Sequence, residues 1–189
     1  MEIDPFYTPL DVALFESRII QLDGPVESKL ARRVNKSLLA LEKADPKKTI
    51  YLFINSPGGE VTSGFSIYDT ACFIQPKVVT VVCGLAASMG SLIALCAEKE
   101  DRVAFPNSKF LIHQPLISGT ISGPATDLQI HAKDIVKTKE KINRIYHEKT
   151  GQPMDVVVKA TDRDNWMDPE EALKFGLISR IIRSRADLK

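Results

Sequence analysis

Residues 78–97 read VVTVVCGLAASMGSLIALCA, and this stretch decides the fold class. The β-branched run at 78–82 predicts a strand, the small residues of 84–90 predict a turn, and the apolar residues that follow predict a helix. Ser88 stands at that turn, where its hydroxyl is expected above the positive end of a helix. Backbone N–H groups at such a turn are free to face an oxyanion. The stretch therefore makes Ser88 a candidate nucleophile.

The other residue types that activate a serine occur later in the chain. His113 lies at the end of a short apolar strand, where an imidazole can serve as a general base. Asp162 and Asp164 are two residues apart, and by chemistry alone either carboxylate could orient that imidazole. The remaining histidines, His131 and His147, lie in a charged helical stretch and are expected on the solvated surface. The order Ser, His, Asp differs from that of three familiar hydrolase scaffolds and predicts a serine hydrolase on another one.

Strands and helices alternate along the chain. Strands are predicted at 17–23, 49–54, 78–83, 102–105, 110–112 and 178–182. Helices are predicted at 28–44, 62–74, 88–97 and 124–149, and a further one starts at Asp168, which is followed by Pro and two Glu. This alternation predicts a parallel sheet with crossover helices in a single α/β domain.

Composition limits the class of protein. A chain of 189 residues with 44% hydrophobic and 26% charged residues fits one domain with a sizeable core. The net charge of +1 gives no reason to expect nucleic acid or an anionic membrane surface. Residues 78–97 carry no charge, but their glycines and serines break the span, so no membrane segment is expected. Three cysteines without a C-x-x-C pair, and no secretory signal, favour reduced, buried thiols and a cytoplasmic location.

Several short motifs together carry a family resemblance. They are NSPGG at 55–59, SIYD at 66–69, GLAASMG at 84–90, PNS at 106–108, IHQP at 112–115, ATD at 125–127, TGQ at 150–152 and DRD at 162–164. In this order they resemble the ClpP family, the proteolytic subunits of ATP-dependent Clp proteases, from about residue 17 to residue 182. The resemblance implies a single domain over residues 1–189, built as a ClpP/crotonase-like spiral of repeated β-β-α units. The head would cover about 17–115 and 150–183, and a protruding helix-plus-strand handle about 116–149.

The resemblance also implies a role for residues within these motifs. Ser88, His113 and Asp164 match the catalytic triad of a serine endopeptidase that cleaves unfolded protein chains. The N–H groups of Gly59 and Met89 match the oxyanion hole. The residues that match the peptide-binding groove are Gly58 and Val61 on one side, with Pro115 and Leu116 on the other. Neither a metal nor a cofactor is expected, because no phosphate-binding loop with a following lysine occurs and ATP would bind a separate unfoldase.

Further matches concern partners and assembly. Tyr51, Phe53 and Phe73 match a surface pocket that receives a hydrophobic loop of an AAA+ unfoldase of the ClpX, ClpA or ClpC type. Asp162 and Arg163 match a charge pair at the contact between two rings, which would couple ring assembly to alignment of the triad. The implied assembly is two heptameric rings, either of this chain alone or mixed with a ClpP paralogue.

The handle departs from the family pattern. The segment between His113 and Ala125 holds two residues more than usual, and Pro124, which has no backbone N–H, replaces the usual glutamine. The residues before 17 match poorly, which puts pore gating in question. These departures predict a divergent paralogue that forms at most single rings by itself, cleaves peptides poorly, and gains activity with a second kind of subunit.

Two other functions are compatible with the sequence. A crotonase-fold acyl-CoA enzyme would share the scaffold and the oxyanion hole, but it would not need Ser88, His113 and Asp164 together. A structural ring subunit that supports an active paralogue is the alternative outside the enzymes, and the complete triad argues against it. Covalent labelling of Ser88 by a fluorophosphonate separates the peptidase from the acyl-CoA enzyme.

Overall fold

The computed structural model describes residues 8–116, 119 and 122–188. Its strands are β1 Ile19–Asp23, β2 Ile50–Ser56, β3 Val78–Ala87, β4 Arg102–Ala104, β5 Lys109–Ile112, β6 Asn165–Met167 and β7 Arg180–Ile181. Its α-helices are α1 Pro9–Glu16, α2 Ser28–Ala44, α3 Val61–Phe73, α4 Met89–Ala94, α5 Ala125–Thr150, α6 Met154–Thr161 and α7 Pro169–Phe175. Short 3-10 turns cover Lys99–Asp101 and Arg185–Leu188.

β3 is the strand that organises the sheet. The parallel strands follow the order β1-β2-β3-β4-β7. The first half of β3 pairs with β4 through residues 80–82, and its second half pairs with β5 through residues 85–87. β6 adds to the far edge of β5 in antiparallel orientation. This mainly parallel sheet confirms the predicted α/β class, and β3, which joins its two parts, ends directly before Ser88.

Alternate residues of β2 face opposite sides of the sheet. Ile50, Leu52 and Ile54 are fully buried in the main core with apolar residues of α2 and α3, and each such burial stabilises the fold by about 2 kcal/mol. Tyr51 and Phe53 point to the other side, where they pack on a smaller apolar group. This group, the outer cluster, consists of Val79, Val81, Val103 and Ile182.

Arg102 is a buried cation that ties two helix ends to the sheet. It opens β4 and is 1% exposed. Its guanidinium donates to the carbonyl oxygens of Lys149 and Gly176, at 2.8 and 3.2 Å. Burial lowers the pKa of Arg102 from its ordinary value. The last carbonyls of a helix lack partners within the helix, so these bonds fix where α5 and α7 end.

The N-terminal part differs from the sequence prediction. Helix α1 was not predicted, although Thr8 and Asp11 form a capping box at its start. β1 begins at Ile19 rather than at residue 17, because Arg18 has a positive φ of 59° that is incompatible with a strand. The Arg18 guanidinium donates to four backbone carbonyls between residues 41 and 49, which holds this backbone in place.

Other boundaries also differ. α4 is shorter than the helix predicted at 88–97, and α6 and β6 were not predicted. The helix of the predicted handle corresponds to α5. The strand of the predicted handle falls on residues 116–123, and of these 117, 118, 120 and 121 lie outside the described residues.

Two expectations about burial are corrected. His147 is half-buried rather than solvated, and its Nδ1 lies 2.6 Å from the carbonyl oxygen of Gln152. Cys72 is exposed and Cys83 is half-buried, so only Cys96 of the three free thiols is buried as expected. None of the helices in the described ranges is both long and apolar enough to cross a membrane.

Candidate active site

Ser88 is the single residue between the end of β3 and the start of α4. Its φ of 53° and ψ of −122° form a conformation that residues with a Cβ rarely adopt, at a cost of about 1–3 kcal/mol. The Ser88 N–H donates to the carbonyl of Leu111 in β5 at 2.9 Å, and the Ser88 carbonyl accepts from the Ser91 hydroxyl at 2.7 Å. These bonds hold the strained turn and present a half-exposed serine hydroxyl.

The loop after β2 packs directly against this turn. The Ser56 hydroxyl accepts from the Gly58 N–H at 3.1 Å and donates to the carbonyl of Gly24 at 2.7 Å. Gly58 has a φ of +87°, and a Cβ at this position would lie 2.6 Å from the Cβ of Ser88. Position 58 therefore requires glycine for both its backbone conformation and its contact with the turn of Ser88.

Two N–H groups beside the turn donate to no protein acceptor in the described part of the chain, those of Gly59 and Met89. Gly59 forms a parallel β-bridge with Val26. The hydrogen bonds of this bridge run from the Val26 N–H to the Gly58 carbonyl and from the Glu60 N–H to the Val26 carbonyl, so they do not use the Gly59 N–H. Met89 is the first residue of α4, where helix geometry supplies no acceptor. Both residues line the cavity that contains Ser88, so their N–H groups are available to an oxyanion.

The structure brings His113 and Asp164 together. His113 follows β5 and Asp164 precedes β6, and the antiparallel pairing of these strands puts both residues at the same end. His113 Nδ1 lies 3.2 Å from Asp164 Oδ1, and the two side chains are 15% and 66% exposed. A carboxylate at Nδ1 favours the tautomer whose Nε2 accepts a proton, and it stabilises the imidazolium that results.

Asp162, the other acid of this loop, does not contact the His113 imidazole but lies beside Arg163. The carboxylate of Asp162 is 3.9 Å from the guanidinium of Arg163, and both side chains are exposed. The backbone carbonyl of Asp162 accepts from the side-chain amide of Gln114 at 2.6 Å. Of the two acids that chemistry alone left open, Asp164 is therefore the one beside His113.

Ser88 and His113 line the same cavity, but no hydrogen bond joins the serine hydroxyl to the imidazole in these described residues. Catalytic hydrogen bonds are often long without substrate and shorten in the Michaelis complex. The structure thus places Ser88, His113 and Asp164 in the order of a Ser-His-Asp triad. His113 and Asp164 are in contact, whereas Ser88 and His113 share a cavity without a hydrogen bond.

The cavity has a volume of about 290 Å³ and mainly apolar walls. Of the predicted peptide-binding residues, Val61, Pro115 and Leu116 line it, whereas Gly58 supports the turn of Ser88. The remaining walls were not predicted, because apolar residues with helical or strand spacing are usually assigned to the core. These walls are Pro57, Leu92, Leu111, Ile142 and Tyr146. Across the described ranges, no three or more His, Cys, Asp or Glu side chains are grouped to hold a metal ion.

The three aromatic residues of the predicted docking pocket do not meet within one chain. Tyr51 and Phe53 lie on the outer cluster, with the Phe53 ring edge-on to Phe105 at 6.4 Å between centroids. Phe73 ends α3, which packs in the main core on the opposite side of the sheet, and it is 79% exposed. Within a single chain these residues therefore share no common surface, and the docking pocket stays a prediction. The sequence carries no functional signal for Phe105, because its context is that of an ordinary strand end.

A family model for Clp protease matches residues 7–185. The chain belongs to the Clp protease family. The match confirms the resemblance drawn from the motifs, and it extends over α1, which those motifs did not reach. Together with the mainly parallel α/β sheet, it identifies a ClpP fold and a ClpP-like peptidase. Membership of this family also implies association with Clp ATPases and oligomerisation.

Proposed function

We propose that this chain is a serine endopeptidase, the proteolytic subunit of an ATP-dependent Clp protease. Ser88 Oγ attacks the peptide carbonyl, His113 takes the hydroxyl proton and returns it to the leaving amine, and Asp164 orients the imidazole. The observation that carries the proposal is the 3.2 Å contact between His113 and Asp164 at the edge of the cavity that Ser88 lines.

Electrostatic stabilisation of the tetrahedral intermediate is assigned to Gly59 and Met89. Their N–H groups are free of protein acceptors and flank the serine turn, where negative charge would develop on the carbonyl oxygen. Each donor of an oxyanion hole typically contributes about 10²–10³ in kcat. The proposal needs neither a metal nor a cofactor.

The substrate is proposed to be an unfolded peptide chain that lies between Gly58–Val61 and Pro115–Leu116. The cavity between them is walled mainly by apolar side chains, including Leu92 and Ile142. Such a cavity best accepts an apolar side chain next to the cleaved bond, because a charged one would lose its hydration.

The assembly is proposed to be two heptameric rings that enclose the active sites, homomeric or mixed with a ClpP paralogue. Asp162 and Arg163 would contribute to the contact between rings, and their exposure on the loop that carries Asp164 supports this role. An AAA+ unfoldase would dock on Tyr51 and Phe53, while Phe73 would come from a neighbouring copy. A cytoplasmic location belongs to the same proposal, since free thiols are the rule in reducing compartments.

A fluorophosphonate probe, followed by mass spectrometry of the labelled peptide, tests this function on the assembled protein. We expect labelling at Ser88, loss of labelling and of peptide turnover in Ser88→Ala, and no change in the surface variant Ser37→Ala. A Ser88→Ala protein that cleaves peptides at the wild-type rate would refute the serine peptidase. Labelling of Ser88 only after addition of a paralogue would instead support mixed rings.

A further inference from the structure

We infer that helix α5 positions both halves of the catalytic triad, through the buried side chains of Tyr146 and Asn143. The inference rests on the proposed function, because it names residues that set the alignment of Ser88, His113 and Asp164. Tyr146 and Asn143 are positioning residues, since each acts on the triad through other groups.

The first connection runs from Tyr146 to the nucleophile. The Tyr146 hydroxyl lies 2.7 Å from Ser91 Oγ, and that oxygen lies 2.7 Å from the Ser88 carbonyl oxygen and 3.1 Å from that of Leu111. Tyr146 and Ser91 are each 1% exposed. The single proton of the Ser91 hydroxyl goes to these carbonyls, so Tyr146 is the donor in the bond between the hydroxyls.

The protonation state of Tyr146 fits this role. A tyrosine hydroxyl is protonated at neutral pH, and burial raises the pKa of this phenol further above that range, so Tyr146 can act as the donor. Ser88 has a strained backbone, and a strained residue keeps its conformation only when surrounding bonds over-determine it. Ser91 in α4 supplies such bonds, and Tyr146 holds the Ser91 hydroxyl from a separate helix, α5.

The second connection runs from Asn143 to the acid loop. The hydroxyl of Thr161, the last residue of α6, lies 2.9 Å from Asn143 Oδ1 and 3.0 Å from the Val157 carbonyl oxygen, so its single proton is shared between these two acceptors. Both Thr161 and Asn143 are buried. The Thr161 carbonyl accepts from the Gln114 N–H at 2.6 Å, and the Gln114 side chain donates to the Asp162 carbonyl at 2.6 Å. The loop that leads to Asp164 is therefore bonded both to α5 and to the residue that follows the catalytic imidazole.

The two connections share one face of one helix. Asn143 and Tyr146 are three residues apart, which places their side chains on the same side of α5. Apolar residues would fill these core positions without the cost of burying an amide and a phenol. In the described residues no hydrogen bond joins Ser88 to His113, so no direct bond fixes the position of Ser88 relative to His113 and Asp164. A shift of α5 would move both halves together.

The test uses substitutions that remove one polar group and keep the shape. Tyr146→Phe keeps the ring as a wall of the cavity, and Thr161→Val keeps the side-chain volume. We expect each to lower kcat for a fluorogenic peptide by about tenfold and to leave KM unchanged, since small misplacements of reacting groups have effects of this order. Thr161→Ser restores the hydroxyl and should restore kcat. The rate of fluorophosphonate labelling should follow kcat.

Controls separate alignment from stability and from the proposed function. Thr80→Val removes another buried threonine hydroxyl, which bonds the Ala94 carbonyl, and it should leave kcat unchanged. Sedimentation velocity and circular dichroism establish equal assembly and folding. If Tyr146→Phe and Thr161→Val keep the wild-type kcat, or change only KM, the role of α5 is disproved. Turnover by Ser88→Ala in the same assay would instead disprove the proposed function.

Discussion

The nucleophile half and the acid half of the site are built in different ways. Ser88 and the Gly58 loop follow two adjacent parallel strands, and their backbones are bonded to β5 and to the β1–α2 turn. Asp164 lies on the loop between α6 and β6, and its side chain is 66% exposed. The first half is thus fixed by the core of the sheet. The loop of the second half is held by a few hydrogen bonds, of which the one between Thr161 and Asn143 is buried and the one from Gln114 to the Asp162 carbonyl is exposed.

This difference indicates which half of the site is held in its working geometry before substrate binds. An oxyanion hole works only if its donors are fixed before the reaction, and the proposed donors, the N–H groups of Gly59 and Met89, lie in the nucleophile half. A carboxylate that orients an imidazole tolerates more motion, because water can partly replace it. We therefore expect changes in the nucleophile half to have larger effects than changes in the acid half.

Ser88→Ala should show the largest effect. The substitution removes the nucleophile and leaves the surrounding apolar packing unchanged, so peptide turnover should fall by about 10³-fold or more. The measurement is turnover of a short fluorogenic peptide by the assembled protein, with sedimentation velocity as a check on assembly. A loss below tenfold would contradict the assignment of Ser88.

Gly58→Ala tests whether the nucleophile half tolerates a displacement of the turn of Ser88. The added Cβ would lie 2.6 Å from the Ser88 Cβ and from the Ala87 carbonyl oxygen, so the nucleophile turn must shift. We expect kcat to fall by roughly a hundredfold. Gly24→Ala is the matched control, because Gly24 has nearly the same φ of +88° with nothing within 4 Å. Both variants strain the backbone by about 1–2 kcal/mol, and equal kcat values would contradict the close contact at position 58.

Asp164→Asn and Asp162→Asn separate the two acids of the exposed loop. Asparagine at 164 keeps the shape but loses the charge beside His113 Nδ1, and we expect kcat to fall by about 10- to 100-fold. The effect should be smaller than at Ser88 because the carboxylate is largely exposed and water screens its charge. Asp162→Asn should change peptide turnover less than threefold if ring assembly is intact. The reverse order of effects would assign the triad to Asp162.

The nucleophile half was also the more predictable from sequence. A β-branched strand, small residues and an apolar helix have local signals, and the close approach of Gly58 to Ser88 requires small residues at both places. Asp164 could be separated from Asp162 only by the family resemblance, because the pairing of β5 with β6 that brings it to His113 was not predicted. The three-residue β6 and the eight-residue α6 are too short for a clear periodic signal.

Two other features could not have been predicted from the sequence. Tyr146 and Asn143 have the spacing of core positions, and only the structure shows that their polar atoms bond Ser91 and Thr161. The resemblance assigned Tyr51, Phe53 and Phe73 to one docking pocket, but a one-dimensional motif does not show that Phe73 and Phe53 lie on opposite sides of the sheet.

Phe53→Ala should show the smallest effect on the chemistry, since Phe53 faces the outer cluster and not the cavity of Ser88. If an unfoldase docks on this surface, degradation of a folded protein with ATP and the cognate unfoldase should fall at least tenfold. Cleavage of a short peptide should stay within twofold of wild type, because it needs no docking. Val81→Ala is the matched control, because it removes buried volume from the same cluster and leaves the half-buried Phe53 ring in place. If Phe53→Ala loses both activities equally, the effect comes from damaged packing. The same holds if Val81→Ala loses as much protein degradation as Phe53→Ala. Either result would remove the docking surface from the proposed function.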